Sequence, residues 1–118
     1  MDSVIIDVPW NGFGEAIKIA SMADAYEVNV APHNFYGYLA TMMSMHLCAS
    51  VPNVRIMEMD VDEPAWMAEL FTVKPRVEDG HMHLPSGIGW GTEVNEAGVR
   101  AHPPRPPAGA SVLPVGER

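Results

Sequence analysis

The sequence predicts an α/β protein built on a parallel sheet, and three observations carry that reading. Strand-like apolar runs alternate with helix-like segments in the order β, α, β, α, β, the pattern of parallel strands joined by helical crossovers. The first run, Val4 to Val8, lacks every-other-residue alternation, as expected of a strand covered on both faces. Each run also delivers one titratable residue to its end: Asp7 after Val4-Ile5-Ile6, His33 after Val28-Asn29-Val30-Ala31-Pro32, and Glu58 after Val54-Arg55-Ile56-Met57. These three residues are 26 and 25 positions apart, close to the roughly 30 residues of a strand–helix–strand unit.

The elements follow in order. The first strand is expected to stop near Asp7, because Pro9 cannot donate to a ladder. Pro9-Trp10-Asn11-Gly12-Phe13-Gly14 reads as a loop. Glu15 to Tyr26 reads as a helix, with Ile17, Ala20 and Ala23 on its apolar face and Glu15 in its first turn. Val28 to Ala31 is the second strand, ended by Pro32. Tyr38 to Ala49 is a second helix whose Leu39, Met42, Met43, Met45 and Leu47 cover more than one side, the mark of a helix buried on most of its circumference. After a turn at Pro52-Asn53, Val54 to Met59 is the third strand.

Beyond Glu58 the texture changes. Val77 to Leu84 reads as a hairpin about Asp79-Gly80, and Asn95 to Arg100 as a short helical turn. From Pro103 the proline density predicts an extended, disordered tail. The expected organisation is a three-strand segment over 1–60, an extension with the hairpin over 61–102 and the proline-rich tail over 103–118.

Bulk properties narrow the function classes. A chain of 118 residues gives one domain at most. A net charge of −8 argues against a surface that tracks nucleic-acid phosphates. No apolar run approaches the roughly 20 residues of a membrane span. The acidic start, Met1-Asp2-Ser3, is no signal peptide, and the single Cys48 points to a reducing cytoplasm.

Chemistry in parallel α/β folds collects at the C-terminal ends of the strands. Asp7 and His33 end consecutive strands, which lie about 4.8 Å apart, so a carboxylate could hold one imidazole nitrogen and leave the other free as a general base. The spacing fits equally an Asp7 that caps the next helix beside a plain loop histidine. Glu58, one strand further, could bind or protonate the far side of a shared substrate. Several other groups have a bland reading that prevails. Gly12-Phe13-Gly14 could cradle an anion at a helix start, and His81-x-His83 could grip a metal, but a lone G-x-G and two exposed hairpin histidines are the commoner outcomes. His46 and Cys48 read as packed helix residues. Pro104-x-x-Pro107 reads as tail, and Asp60, Asp62 and Glu63 as an exposed acidic loop.

Several segments together resemble a known family. Ile5-Ile6-Asp7 with its glycine loop, Ala23-Asp24-Ala25-Tyr26, Ala31-Pro32-His33-Asn34, Ala49-Ser50-Val51-Pro52-Asn53, Glu58 and Gly89-Trp90-Gly91-Thr92-Glu93-Val94-Asn95-Glu96 are similar to the enolase superfamily. The likeness is to its mandelate racemase/muconate lactonizing group, which includes acid-sugar dehydratases, and covers about residues 4 to 102. It implies the C-terminal part, about strands six to eight, of a TIM-like (β/α) barrel. Asp7 and His33 would then be the base dyad, and Glu58 the catalytic and substrate-binding acid facing the carboxylate or enolate. The implied reaction removes the proton α to the carboxylate of a hydroxy acid or sugar acid, as a racemase or dehydratase, with Mg²⁺ stabilising the enediolate.

The family's metal ligands lie on earlier strands with no counterpart in this sequence. Mg²⁺ is therefore expected in the complete enzyme, and no metal ligand is assigned on this chain. The chain is expected to be a C-terminal piece, inactive alone, that self-associates or is complemented by an N-terminal portion. A non-catalytic relic or assembly piece docking on other barrel segments is the alternative.

Overall fold

A computed structural model describes residues 3–104 of the chain. Its centre is a parallel pair, β1 (Ser3–Asp7) and β2 (Asn29–His33), in a register that sets Ser3 opposite Asn29 and Asp7 opposite His33. The residues expected to be loop after β1 instead open with a short helix, α1 (Val8–Asn11). Proline is well suited to a first helical turn, where its missing N–H has no partner to lose, and the Asp7 carboxylate caps the turn by accepting the Trp10 N–H at 3.1 Å. Gly12, at φ 81°, turns the chain into α2 (Phe13–Asp24). The small residues Ala16, Ala20 and Ala23 face the core, so the buried stripe sits one residue from the expected Ile17, which is half-buried beside it. One detail of β2 also differs from expectation. The strand runs through Pro32 to His33, and Pro32 is itself fully buried.

Pro32 explains what happens to the third run. Val30 uses both its backbone groups toward that run, accepting from Arg55 N and donating to Asn53 O, which makes a single parallel bridge with Val54. Two residues on, Pro32 has no N–H to offer, and its carbonyl is met by Glu58 N rather than Met57 N. Residues 54–58 therefore lie along β2 as one bridge followed by a one-residue slip, where a full strand was expected.

The helices cover one face of the sheet only. Ile6, Val8, Val30, Leu47 and the α2 alanines form the core cluster. On the opposite face Ile5 is 73% and Ile56 67% exposed, so the expected two-sided cover is absent among the described residues. The lack of alternation in β1 arises because both its faces are apolar, though one of them is bare.

The helix α3 (Tyr38–Ser50) buries Ala40, Thr41, Met42, Ser44, Met45 and Leu47, the broad arc expected from its composition. One side meets the core, and the C-terminal extension wraps another. Trp90 packs edge-on against Phe13 and His46, Phe71 lies against Tyr38, and the Met67 sulfur approaches Gly37. Within the extension, a 3-10 helix (Ala65–Leu70) precedes the expected hairpin, β3 (Arg76–Glu78) and β4 (His81–His83). Asp79 and Gly80 both have positive φ, as a two-residue hairpin turn of this hand requires. The short α4 (Glu96–Ala101) matches the expected helical turn. It packs so closely on the 3-10 helix that a Cβ on Gly98 would lie 2.1 Å from the Glu69 carbonyl oxygen. Of the proline-rich tail, Pro103 and Pro104 have no regular structure. Pro107 and the disorder expected over the rest lie outside the described residues. No helix among those residues is long and apolar enough to cross a membrane.

Candidate active site

The register of β1 on β2 fixes the site. Asp7 and His33 are direct cross-strand partners at the strand ends. They follow Ile5 and Ala31 by two residues and so share the uncovered face. The one-residue slip at Pro32 brings Glu58 to the same end of the sheet. All three residues expected at the site are together.

His33 sits between the two acids. Its Nδ1 is 2.9 Å from Asp7 Oδ2, and its Nε2 is 3.7 Å from Glu58 Oε2. An ionised carboxylate can only accept, so Nδ1 carries the hydrogen and donates, leaving Nε2 as the basic nitrogen. That nitrogen is not simply free, as the spacing suggested, because Glu58 stands opposite it just beyond hydrogen-bonding reach. Asp7 performs both roles between which the sequence left the choice open. Oδ1 caps α1, and Oδ2 holds the imidazole.

Two residues that sequence reasoning passed over complete the arrangement. Tyr36 donates its hydroxyl to Asp7 Oδ2, and its ring meets the His33 ring edge-on with centroids 5.4 Å apart. Asn34 is 1% exposed. Its backbone N–H donates to Glu58 Oε2 at 3.0 Å, and its side-chain amide donates to Thr41 Oγ1 at 2.9 Å and to the Glu58 carbonyl at 3.3 Å. The same loop that carries the imidazole thus holds the acid on either side of it. Asn34 closes the Ala31-Pro32-His33-Asn34 segment, where the histidine alone drew a role, and Tyr36 lies in none of the segments named above, so adjacency to His33 was its only signal.

Burial on its own pushes the Asp7 carboxyl up. The hydrogen bonds from Tyr36, the Trp10 N–H and His33 outweigh it and hold Asp7 below the ordinary carboxylate range. The bond to Asp7 in turn raises the Tyr36 phenol, which stays protonated as a donor.

His33 and Glu58 rim an open cleft of about 320 Å³ floored by Ile5, Ala31, Pro32 and Ile56. A larger hollow of about 490 Å³ lies between α3, residues 54–57 and the hairpin, lined largely by Met45, Cys48, Met57 and Met82. It lacks a paired acid and base, and Cys48 there has its thiol pushed up to about 11 by burial, which leaves little nucleophilic thiolate. Of the two, only the smaller cleft sets an acid beside an imidazole.

The remaining candidates lie apart from it. His81 and His83 are exposed on the hairpin, with His83 Nε2 3.2 Å from Glu78. Asp60 accepts the Asp62 N–H in an acidic turn. Gly12 leads into α2 without a side-chain cap. His46 is half-buried under Trp90, and its Nε2 has no hydrogen-bond partner.

The site's residues do not fit a magnesium ion. Mg²⁺ demands near-ideal octahedral oxygen coordination, whereas the two carboxylates do not converge: the His33 ring stands between them, 2.9 Å from Asp7 and 3.7 Å from Glu58. Among the described residues, no group of three or more His, Cys, Asp or Glu side chains could hold a metal ion.

An acid–imidazole pair presented at the strand ends of a parallel α/β sheet is an architecture for moving protons, and the comparisons identify its lineage. Residues 1–98 match the family described as enolase C-terminal domain-like, and the chain belongs to that family. Among solved structures it is similar to a Burkholderia xenovorans protein described as an L-alanine-DL-glutamate epimerase, bound to magnesium and fumarate. The identity is 50% and the TM-score 0.86, over 89% of this chain and 26% of that one. An Agrobacterium tumefaciens enolase of the mandelate racemase subgroup is 36% identical with a TM-score of 0.77, over 85% and 28% of the respective chains. Among curated proteins, the D-xylonate dehydratase of Haloferax volcanii is 32% identical over 86% of this chain and 25% of its own length. The D-gluconate dehydratase of Thermoproteus tenax is 31% identical over 90% and 21%. The chain spans about a quarter of the length of these relatives.

Proposed function

We propose that this chain supplies the acid–base portion of a Mg²⁺-dependent enzyme that removes the proton α to the carboxylate of a hydroxy acid or sugar acid, as a dehydratase or racemase. The observation that carries this reading is the cross-strand Asp7–His33 pair, with Nδ1 held at 2.9 Å and Nε2 facing Glu58 at 3.7 Å, His33 and Glu58 both lining the cleft. His33 Nε2 is the base. Asp7 fixes the tautomer and balances the charge that the imidazole gains when it takes a proton. Glu58, held by the Asn34 N–H, faces the far side of the same space and would bind the substrate or return a proton to it.

On this reading β1, β2 and residues 54–58 are strands six, seven and eight of a barrel, and the bare face of Ile5 and Ile56 is the barrel interior. The Mg²⁺ of the complete enzyme belongs to other parts of the barrel. The chain alone is inactive and associates with itself or with an N-terminal portion, in the cytoplasm. The 50% identity to the magnesium-bound Burkholderia protein and the dehydratase relatives support the reaction class.

The test grafts this chain in place of the corresponding quarter of the Burkholderia protein. Exchange of the α-proton is followed by NMR in D₂O with Mg²⁺ and a panel of hydroxy and sugar acids. Exchange that disappears with His33→Asn supports the reading, and exchange indifferent to that change overturns it. Mg²⁺-dependent turnover by the 118-residue chain alone would refute its inactivity. The exposed Ile5 and Ile56 favour a second reading, a non-catalytic piece that docks on other barrel segments. A graft that folds and assembles without exchanging any α-proton would select it.

A further inference from the structure

Asp7 Oδ2 is shared by two donors, the His33 Nδ1–H and the Tyr36 hydroxyl, which stand three positions apart in sequence. Tyr36 is 45% exposed, so its position is set mainly by this bond and by the edge-on contact with His33 rather than by packing in the core. The other carboxylate oxygen is occupied by the Trp10 N–H. Without the hydroxyl, Oδ2 would serve the imidazole alone and be free to draw its proton across, which would exchange an ion pair for a neutral acid and a neutral histidine. A second donor on the same oxygen spreads the carboxylate's charge over two hydrogen bonds and lowers its appetite for a full proton.

We propose that Tyr36 is a positioning residue for the acid–base pair: its hydroxyl clamps Asp7 Oδ2, keeping Asp7 an oriented anion so that the proton taken up by His33 stays on the imidazole. The proposal rests on the reading of Asp7 and His33 as a base pair, but its test does not depend on turnover. The Tyr36 ring would not contact the reacting atoms. It acts through Asp7, and the influence is reciprocal but opposite in sense: the hydroxyl makes Asp7 the stronger acid, and the carboxylate makes the phenol the weaker one.

The experiment labels the aspartate carboxyl and tyrosine ring carbons of the 118-residue chain with ¹³C and follows both by NMR as pH is varied. In the unmodified chain the Asp7 carboxyl should titrate below, and the Tyr36 phenol above, their ordinary values. In Tyr36→Phe, which removes one oxygen at an exposed position, the Asp7 midpoint should move up toward the ordinary carboxylate range while the amide spectrum of the core, including Ile6 and Val30, is unchanged. A Tyr36 phenol titrating at its ordinary value in the unmodified chain overturns the proposal without any substitution. So does an Asp7 midpoint that stays put or falls in Tyr36→Phe. A purely structural role for the ring would leave both titrations where they are. A graft that exchanges no α-proton, or exchanges it regardless of His33→Asn, would fail the functional reading and leave these midpoints untouched, so the two failures are separable.

Discussion

The two faces of the β1–β2 pair are made from the same ten residues and have opposite fates. Ile6 and Val30 point under the helices and are at most 1% exposed, whereas Ile5, their neighbour in the chain, is 73% exposed. Side chains alternate across a strand, so the division is strict. The even positions Ile6, Val30 and Pro32 build the fold. The opposing positions Ile5, Ala31 and Ile56 form an apolar floor that leads two residues further to Asp7, His33 and Glu58. Stability is thus invested in one face, and the proposed acid–base groups stand at the end of the other. The strand ends tie the two together, since Asn34 is buried like a core residue yet its N–H holds Glu58.

That contrast is open to direct attack, and the largest effect should come from the covered face. Leu47 is fully buried in the core cluster, so Leu47→Ala should lower stability by about 2–5 kcal/mol, read from urea unfolding. Ile5→Ala on the bare face should change it by no more than about 0.5 kcal/mol. Equal losses at the two positions would mean that something covers Ile5 in solution. Next in size is Gly98→Ala, whose new Cβ would press on the Glu69 carbonyl and should cost about 1–3 kcal/mol. Because the strain falls between α4 and the 3-10 helix, hydrogen exchange should quicken in the extension and leave β1 and β2 protected. A smaller effect should come from pH. The folded-state pKa of Asp7 is displaced downward, so its contribution to stability is present above the unfolded aspartate value of about 3.9 and is lost as pH falls through the lower folded value. Asp7→Asn should flatten that limb of the stability profile. The mildest probe is chemical. With the Cys48 thiol pushed up to about 11, alkylation at pH ~8 should run roughly two orders of magnitude slower than for a free cysteine, and recover in denaturant.

Much of this was legible from residue order. The α/β alternation, the buried arc of α3, the Asp79-Gly80 hairpin and the convergence of Asp7, His33 and Glu58 follow from periodicity and spacing that each segment carries locally. The misreadings have local causes too. Pro9 to Asn11 read as loop and Val8 as the end of a strand because proline cannot join a ladder, and only the Asp7 cap makes Val8–Asn11 the start of a helix. The third run reads as a full strand because its residues favour one, yet its ladder depends on a donor that Pro32, in a different strand, does not have. Exposure of one sheet face cannot be read from composition at all, since Ile5 and Ile6 are the same residue type and differ only in which way the pleat turns them.

The sequence by itself determined most of the elements, the class of fold and which three titratable groups close the three apolar runs, because these depend on intervals counted along one chain. Tertiary structure decided what those groups do to one another. The parallel register set Asp7 opposite His33, the slip at Pro32 turned Glu58 toward the imidazole, and the fold of residues 33–36 brought Tyr36 and Asn34 onto the flanking acids. Hydrogen bonds act over about 3 Å, and at that range only the packed chain, with partners more than twenty residues apart in sequence, fixes which atoms meet.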